Sequence, residues 1–266
     1  MINGMALCSG IAGLDLGLKL ALGDEYETVC HVEREAFVAA ALVARMENKD
    51  LAPAPIWDDV TTFDGRPWCG AVDCITAGFP CQPWSYGGNR RRDRTEDDRW
   101  IWDDIARVIS EVEPGLVFLE NVPGIEDGGT AEIERCFDAL GYWSIRGRFA
   151  AREAGAGHTR ERVFILAYTV RERQQGTPEQ WLRAVQSKLE ASLRRDADRR
   201  SIFPPSSGRL GDWKDWPTDA QPAVLRGTDG LRFRLDRLRA VGNAAVPVVS
   251  AHAFATLLGA LVARLG

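Results

Sequence analysis

The stretch Gly78-Phe79-Pro80-Cys81-Gln82-Pro83-Trp84-Ser85 sets one thiol between two prolines, directly after a short apolar run over residues 71–77. Proline fixes φ on either side of Cys81. The apolar run predicts a central parallel strand, so the sulfur sits at a strand's carboxyl end, where open α/β sheets bind their ligands. An isolated free cysteine is more often a small buried hydrophobe than a nucleophile, and the neighbouring chemistry decides. Glu120-Asn121-Val122-Pro123-Gly124 closes a second buried run, which puts a carboxyl group at the same edge, one or two strands away. Against an apolar wall such a group holds its proton to higher pH and can act as an acid. Arg160-Glu161-Arg162 precedes a third apolar run and reads either as guanidinium forks at that edge or as a surface salt-bridge cluster. A thiol, an acid and an arginine around one pocket suit the addition of a nucleophile to an electron-poor ring. Such a ring must be protonated or hydrogen-bonded so that charge does not accumulate on it.

A second group of residues suits a nucleoside. Ser9-Gly10-Ile11-Ala12-Gly13 falls at a strand-to-helix turn, where glycines let a ligand approach backbone N–H groups. Glu33 ends the next strand 20 residues after Gly13, where a carboxylate can grip ribose hydroxyls, and Asp59-Val60 ends the third. The turn is not G-x-G-x-x-G, which argues against a bound pyrophosphate and against a nicotinamide-dependent oxidoreductase. Each piece also has a plainer reading, in which the glycines serve packing and Glu33 is an exposed strand end.

These groups need a scaffold that gathers strand ends, and the chain's pattern supplies one. Strand signals over residues 6–9, 28–33, 56–60, 71–77, 116–120 and 163–168 alternate with helix signals over 14–22, 34–46, 100–113 and 130–140, the last with Thr130 as N-cap. Such alternation predicts an α/β fold with a doubly wound, mostly parallel sheet. From Thr169 onward the character changes, with a helix signal over 178–193, the turn-rich Pro204-Pro205-Ser206-Ser207-Gly208 and the pair Trp213 and Trp216. We read 169–231 as a small inserted lobe, and 1–168 plus 232–266 as the main domain, closed by an apolar helix over 247–264.

With 266 residues, 45% of them hydrophobic and 27% charged, the chain has a globular composition and can bury a full core. It has no apolar run long enough to cross a bilayer, and its first residues lack the basic start of a secretory signal. A cytoplasmic protein without a membrane partner is expected. Six cysteines without a CxxC pair and three scattered histidines predict a reduced chain with no metal site. The net charge of −5 has the wrong sign for a nucleic-acid binder, yet residues 171–230 carry +2. Arg90, Arg91, Arg92, Arg94 and Arg99 crowd the stretch after Cys81, diluted by Asp and Glu. That run is either a solvated loop or one that closes over a polyanion.

Taken in order, these residues resemble the DNA (cytosine-5) methyltransferase family. Ser9-Gly10-Ile11-Ala12-Gly13, Val32-Glu33 and Asp59-Val60 are similar to its first three motifs, and Pro80-Cys81-Gln82 to its nucleophile motif. Glu120-Asn121-Val122 is similar to the acid motif, His158-Thr159-Arg160-Glu161-Arg162 to the arginine motif, and Gly242-Asn243-Ala244-Ala245-Val246-Pro247 to the last, whose helix returns to the cofactor pocket. The resemblance implies a Rossmann-like methyltransferase that uses S-adenosylmethionine, yields S-adenosylhomocysteine, needs no metal and acts on a cytosine flipped out of double-stranded DNA. It implies that Cys81 adds to C6, Glu120 holds or protonates N3 with Asn121 bracing the strand end, and Arg162 contacts the O2 edge with Arg160 in support. Ser9, Gly10, Ile11, Gly13, Glu33, Asp59, Val60, Pro80, Asn243 and Ala244 are the implied cofactor-binding residues. Residues 86–100 become the loop that closes over the base, and 169–231 the target-recognition region. A monomer with a cognate restriction endonuclease is the implied assembly. The same chemistry on an RNA cytosine and a catalytically silent DNA-binding relative are the alternatives. Three positions depart from the family: Cys8 replaces an aromatic residue that stacks on adenine, Arg34 an apolar residue after the ribose carboxylate, and His158 a glutamine.

Overall fold

The computed structural model describes residues 1–80, 100–154, 160–169, 177–195 and 245–264. Cys81, His158, Asn243, Ala244 and most of the 86–100 stretch lie outside the described residues. The described strands form one sheet: β1 (Ile2–Leu7), β2 (Tyr26–Val32), β3 (Ile56–Trp57), β4 (Cys74–Gly78), β5 (Leu116–Asn121), β6 (Tyr142–Ala150) and β7 (Glu161–Thr169), in the order β3-β2-β1-β4-β5-β7-β6. The pairs among the first five are parallel, and β7 runs antiparallel to both β5 and β6. The chain moves from β1 out to β3 and then returns to β4 on the other side of β1. That reversal opens a crevice at the carboxyl ends of β1 and β4, the place where such sheets bind ligands.

The helices are α1 (Gly13–Leu22), α2 (Ala36–Glu47), α3 (Trp102–Val112), α4 (Gly129–Leu140), α5 (Pro178–Arg195) and α6 (Pro247–Ala263). Side chains alternate across β5, so Leu116 and Phe118 join one core layer while Val117 and Leu119 join the other. The first layer packs against α1, α5 and α6 through Leu18, Leu182 and Phe254, and the second against α3 and α4 through Ile105, Ile109 and Phe137. Phe118 stacks on Phe164 at 5.6 Å and meets Phe254 edge-on at 5.5 Å; each such ring contributes about 1.5–3 kcal/mol by leaving water. In α3 the apolar residues Trp102, Ile105, Val108, Ile109 and Val112 fall on one helical face, and Asp103 and Asp104 favour its N-terminus. Glu113 ends the helix in the left-handed region at φ 50°, and Pro114 cannot continue it.

Three expectations need correction. Thr130 is not a cap: α4 starts at Gly129, its N-cap is Gly128 at φ 138°, and Thr130 is buried inside the first turn. Only glycine takes that φ readily, and it lets the chain swing from the 3-10 turn Pro123–Asp127 into the helix. The third strand is two residues long rather than five, and Asp59 and Val60 sit on the turn that follows it. Strand β6 has no counterpart in the sequence reading, because Arg146, Gly147 and Arg148 interrupt its apolar pattern and its outer edge faces solvent. In the region read as an inserted lobe, α5 buries Trp181, Leu182, Val185 and Leu189 in the same core layer as α1 and α6. The remainder of that region lies outside the described residues. No described helix is long and apolar enough to cross a membrane.

Candidate active site

The acid and arginine groups meet at the carboxyl end of β5, and the direction of β7 is the reason. Because β7 is antiparallel, its first residues lie beside the end of β5, with Glu120 opposite Phe164 and Asn121 opposite Val163. A parallel strand would have carried Arg160 and Arg162 to the opposite edge of the sheet. Arg162 Nε lies 2.8 Å from Glu120 Oε1, and both side chains are largely buried. Among the described residues that oxygen has no aligned hydrogen-bond donor, so its contact with Arg162 is one of charge. Burial raises the Glu120 pKa above the ordinary carboxyl value, and the charges of Arg162 and Arg160 only partly oppose it. Burial, followed by the like charge of Arg162, pulls the Arg160 pKa below the usual guanidinium value.

The same edge leads toward the cysteine. Gly78 pairs with Glu120, and Glu120 Oε2 lies 3.4 Å from the position a Gly78 Cβ would take, so the carboxyl leans over the end of β4. Asn121 Nδ2 donates to Phe79 O at 3.2 Å, while Asn121 Oδ1 accepts from Val122 N–H at 2.9 Å. The amide thus pins the backbone two residues before Cys81. Phe79 is further held between Trp100 and Trp102, each at 5.8 Å. Pro80 is exposed at this end.

Across the β1/β4 crevice lies the turn that opens α1. Cys8, Gly10 and Ala12 all have positive φ, at 51°, 55° and 62°, which folds the backbone back on itself. Ser9 N–H donates to Val32 O at 3.0 Å, and Ser9 Oγ to Ala6 O at 2.9 Å. Glu33 does more than the sequence reading asked: Oε2 accepts from Gly10 N–H and Oε1 from Glu35 N–H, both at 2.8 Å. Burial raises its pKa despite these bonds. Arg45, from the last turn of α2, donates to Ile11 O at 2.6 Å. Among the described residues a Cβ on Gly10 would meet nothing within 4 Å, so they leave space open over the turn. Gly13 is different, because a Cβ there would sit 2.1 Å from Ala245 O. The segment that leads into α6 therefore packs on the first residue of α1.

Asp59 stands close to this turn and takes part in a local bend. Its Oδ1 accepts from Thr61 N–H at 2.9 Å, and Arg34 Nε lies 3.9 Å from Oδ2. The Thr61 hydrogen bonds, with Arg34 adding to them, hold the Asp59 pKa low. Arg34 is 82% exposed. Burial, then the charges of Glu33 and Asp59, pushes the Cys8 thiol up to about 12, so that group is neutral at ordinary pH. The structure thus groups Ser9, Gly10, Ile11, Gly13, Glu33, Asp59 and Val60 on one side of the crevice, and Pro80, Glu120, Asn121, Arg160 and Arg162 on the other. Sequence reasoning missed Asp15, Arg45 and Arg107. Asp15 Oδ1 ties α1 to β2 and β4 by accepting from Tyr26 Oη at 2.9 Å and Thr76 Oγ1 at 2.8 Å. None of the three carries a local signal beyond a polar residue on a helix. Among the described residues no cluster of side chains suits a metal.

Comparison with known proteins bears on the family and the fold. The model of the family described as C-5 cytosine-specific DNA methylase matches residues 2–203. The Type II methyltransferase M.PspPI of Psychrobacter is 36% identical over 141 residues, covering 51% of this chain and 32% of that protein. M.AluI of Cellulosimicrobium cellulans is 35% identical over 182 residues, covering 63% of this chain and 33% of that protein. The chain therefore spans about a third of the length of these relatives. Among solved structures, the S. pombe Dnmt2 methyltransferase superposes with a TM-score of 0.52 at 22% identity, over 65% of this chain and 53% of that one. At that identity the likeness speaks for the fold alone, a mixed, mostly parallel methyltransferase sheet. With three-quarters of its residues matched by the family model, the chain belongs to the C-5 cytosine-specific DNA methylase family.

Proposed function

We propose that this protein transfers a methyl group from S-adenosylmethionine to C5 of a cytosine flipped out of double-stranded DNA. The observation that carries the reading is the buried carboxyl of Glu120, kept beside Arg162 at the end of β5 and leaning over the strand that leads to Cys81. The turn fits the methyl donor: the space that the described residues leave over Gly10 and a buried carboxyl at Glu33 suit a nucleoside with its ribose against the strand end. Ser9, Gly10, Ile11, Gly13, Glu33, Asp59, Val60 and Pro80, with Asn243 and Ala244, are the residues that hold it. When bound, it supplies an electrophilic methyl group.

In this reading the Cys81 thiolate attacks C6 of the ring, forming an S–C6 bond. Glu120, its proton favoured by burial, stabilises N3 as negative charge develops, and Arg162 with Arg160 steadies the O2 edge. The enamine so formed carries its electron pair at C5, which takes the methyl. Loss of the C5 proton to a base then restores the double bond and expels the Cys81 sulfur. Asn121 is a positioning residue, because it fixes Phe79 O on the path to Cys81. The region over 169–231 reads the target, the chain acts as a monomer, and the relatives' name, Type II methyltransferase, supports a restriction endonuclease as partner.

The test is a trap. Duplex DNA with 5-fluorocytosine in the target should give a stable covalent adduct in the presence of S-adenosylmethionine, because fluorine cannot leave as the proton does. Cys81→Ser should give none while still binding S-adenosylhomocysteine. An adduct on fluorinated folded RNA but not on DNA would move the substrate to RNA. No adduct on either, with target confirmed by bisulfite sequencing, would remove C6 attack.

A further inference from the structure

The Asp59 loop has almost no sheet to hold it. β3 is two residues long and lies at the sheet edge, so the turn after it gains little from the strand ladder. An arginine from another helix does that work instead. Arg107 Nη2 donates to Val60 O at 2.7 Å and Thr61 O at 3.3 Å, and Nη1 donates to Phe63 O at 2.8 Å. Glu111, one turn on in α3, aims the fork by accepting from Arg107 Nη1 at 3.0 Å, and its Oε2 accepts Gly65 N–H at 2.7 Å. Three carbonyls of one short loop thus converge on one guanidinium, whose planar fork holds them in a fixed geometry that a compact ammonium reproduces only in part. On the same side of the crevice, Arg45 holds Ile11 O by a single hydrogen bond.

We propose that Arg107 is a positioning residue for the methyl-donor site: it sets the shape of the 59–63 loop, and through that loop the affinity contributed by Asp59 and Val60. This rests on the reading of those two residues as cofactor-binding. If release of the loop leaves it in the binding-competent shape about one-tenth of the time, affinity falls about tenfold, since apparent affinity scales with the competent fraction. The step that forms the S–C6 bond lies at β4 and β5 and is not altered.

The experiment uses the full chain, with S-adenosylhomocysteine titrated calorimetrically and methyl transfer measured at varied S-adenosylmethionine. Arg107→Met should weaken product binding about tenfold and raise KM for the methyl donor by a similar factor, with kcat at saturation within about twofold. Arg107→Lys should fall between, and it carries the test if Arg107→Met does not fold. In an Asp59→Ala background the further loss from Arg107→Met should shrink to less than about twofold, because both act through one loop. Equal affinity in Arg107→Met and wild type, or a full tenfold loss in the Asp59→Ala background, overturns the inference. Wild type that binds no S-adenosylhomocysteine instead overturns the cofactor reading beneath it, a distinct result.

Discussion

Gly10 and Gly13 lie in the same turn but are glycines for different reasons, and alanine at each should cost differently. At Gly10 the demand is conformational: φ is +55° and no described residue lies within 4 Å of a new Cβ. Alanine there bears the left-handed penalty of about 1–2 kcal/mol. At Gly13 the demand is for space. A Cβ would sit 2.1 Å from Ala245 O and 3.0 Å from Ala245 C, more than about 1 Å inside a normal contact. A backbone carbonyl cannot rotate aside, so the segment entering α6 must move. Overpacking of this kind costs about 1–3 kcal/mol, and rigid backbone puts it at the upper end. Alanine regains at most about 1 kcal/mol of helix propensity, less at the first helical position. The net expectation for Gly13→Ala is a loss of about 2 kcal/mol, or about 4–8 °C in Tm for a chain of this size. Since Ala245 follows Asn243 and Ala244 directly, binding of S-adenosylhomocysteine should weaken as well. Urea denaturation read by tryptophan fluorescence gives the first quantity and calorimetric titration the second. A Gly13→Ala protein within about 0.5 kcal/mol of wild type would refute the argument that α6 is seated by the missing side chain.

Other perturbations follow from the same contacts. Glu120→Gln keeps the shape of the side chain but can no longer exchange a proton, and methyl transfer should fall by about 10²–10⁴ while S-adenosylhomocysteine still binds; a kinetic measurement showing less than about a tenfold loss removes Glu120 as the acid. Tyr26→Phe deletes the 2.9 Å bond to buried Asp15 but leaves that of Thr76 at 2.8 Å, so urea unfolding should report a loss of about 1–2 kcal/mol, and no measurable change would contradict the network. His31 is buried, and desolvation lowers its pKa below the ordinary 6.5, with Asp15 opposing. The unfolded chain then binds more protons between the two values, so the His31 contribution is complete above about pH 6.5 and is lost as pH falls toward the folded pKa, by at most about 1.4 kcal/mol per pH unit. Stability of wild type should drop more steeply from pH 7.5 to 5.5 than that of His31→Asn, and parallel slopes would defeat the assignment.

Much of the candidate site was legible in the sequence because its residues come in contiguous pieces. Pro80-Cys81, Glu120-Asn121 and Ser9-Gly10 each follow an apolar run, and the carboxyl end of a buried strand is a place that periodicity can locate. The alternation of strand and helix likewise gave a mostly parallel sheet, since parallel neighbours need long crossovers and the helices provide them. Strand β6 escaped because an edge strand satisfies only one flank and buries only part of its surface, so charged residues and a glycine are tolerated within it.

What the sequence by itself determined is the set of reactive groups and the strand ends that bear them. Tertiary structure decided how those groups combine. It reversed β7, and so brought Arg162 to Glu120 rather than to the far edge. It spent both oxygens of Glu33 on Gly10 and Glu35, set Gly13 against Ala245, and gave the Asp59 loop to Arg107. Local periodicity records only which face a residue presents, whereas these pairings join positions remote along the chain. Their energies depend on direction and distance, which exist only once the sheet has chosen its order.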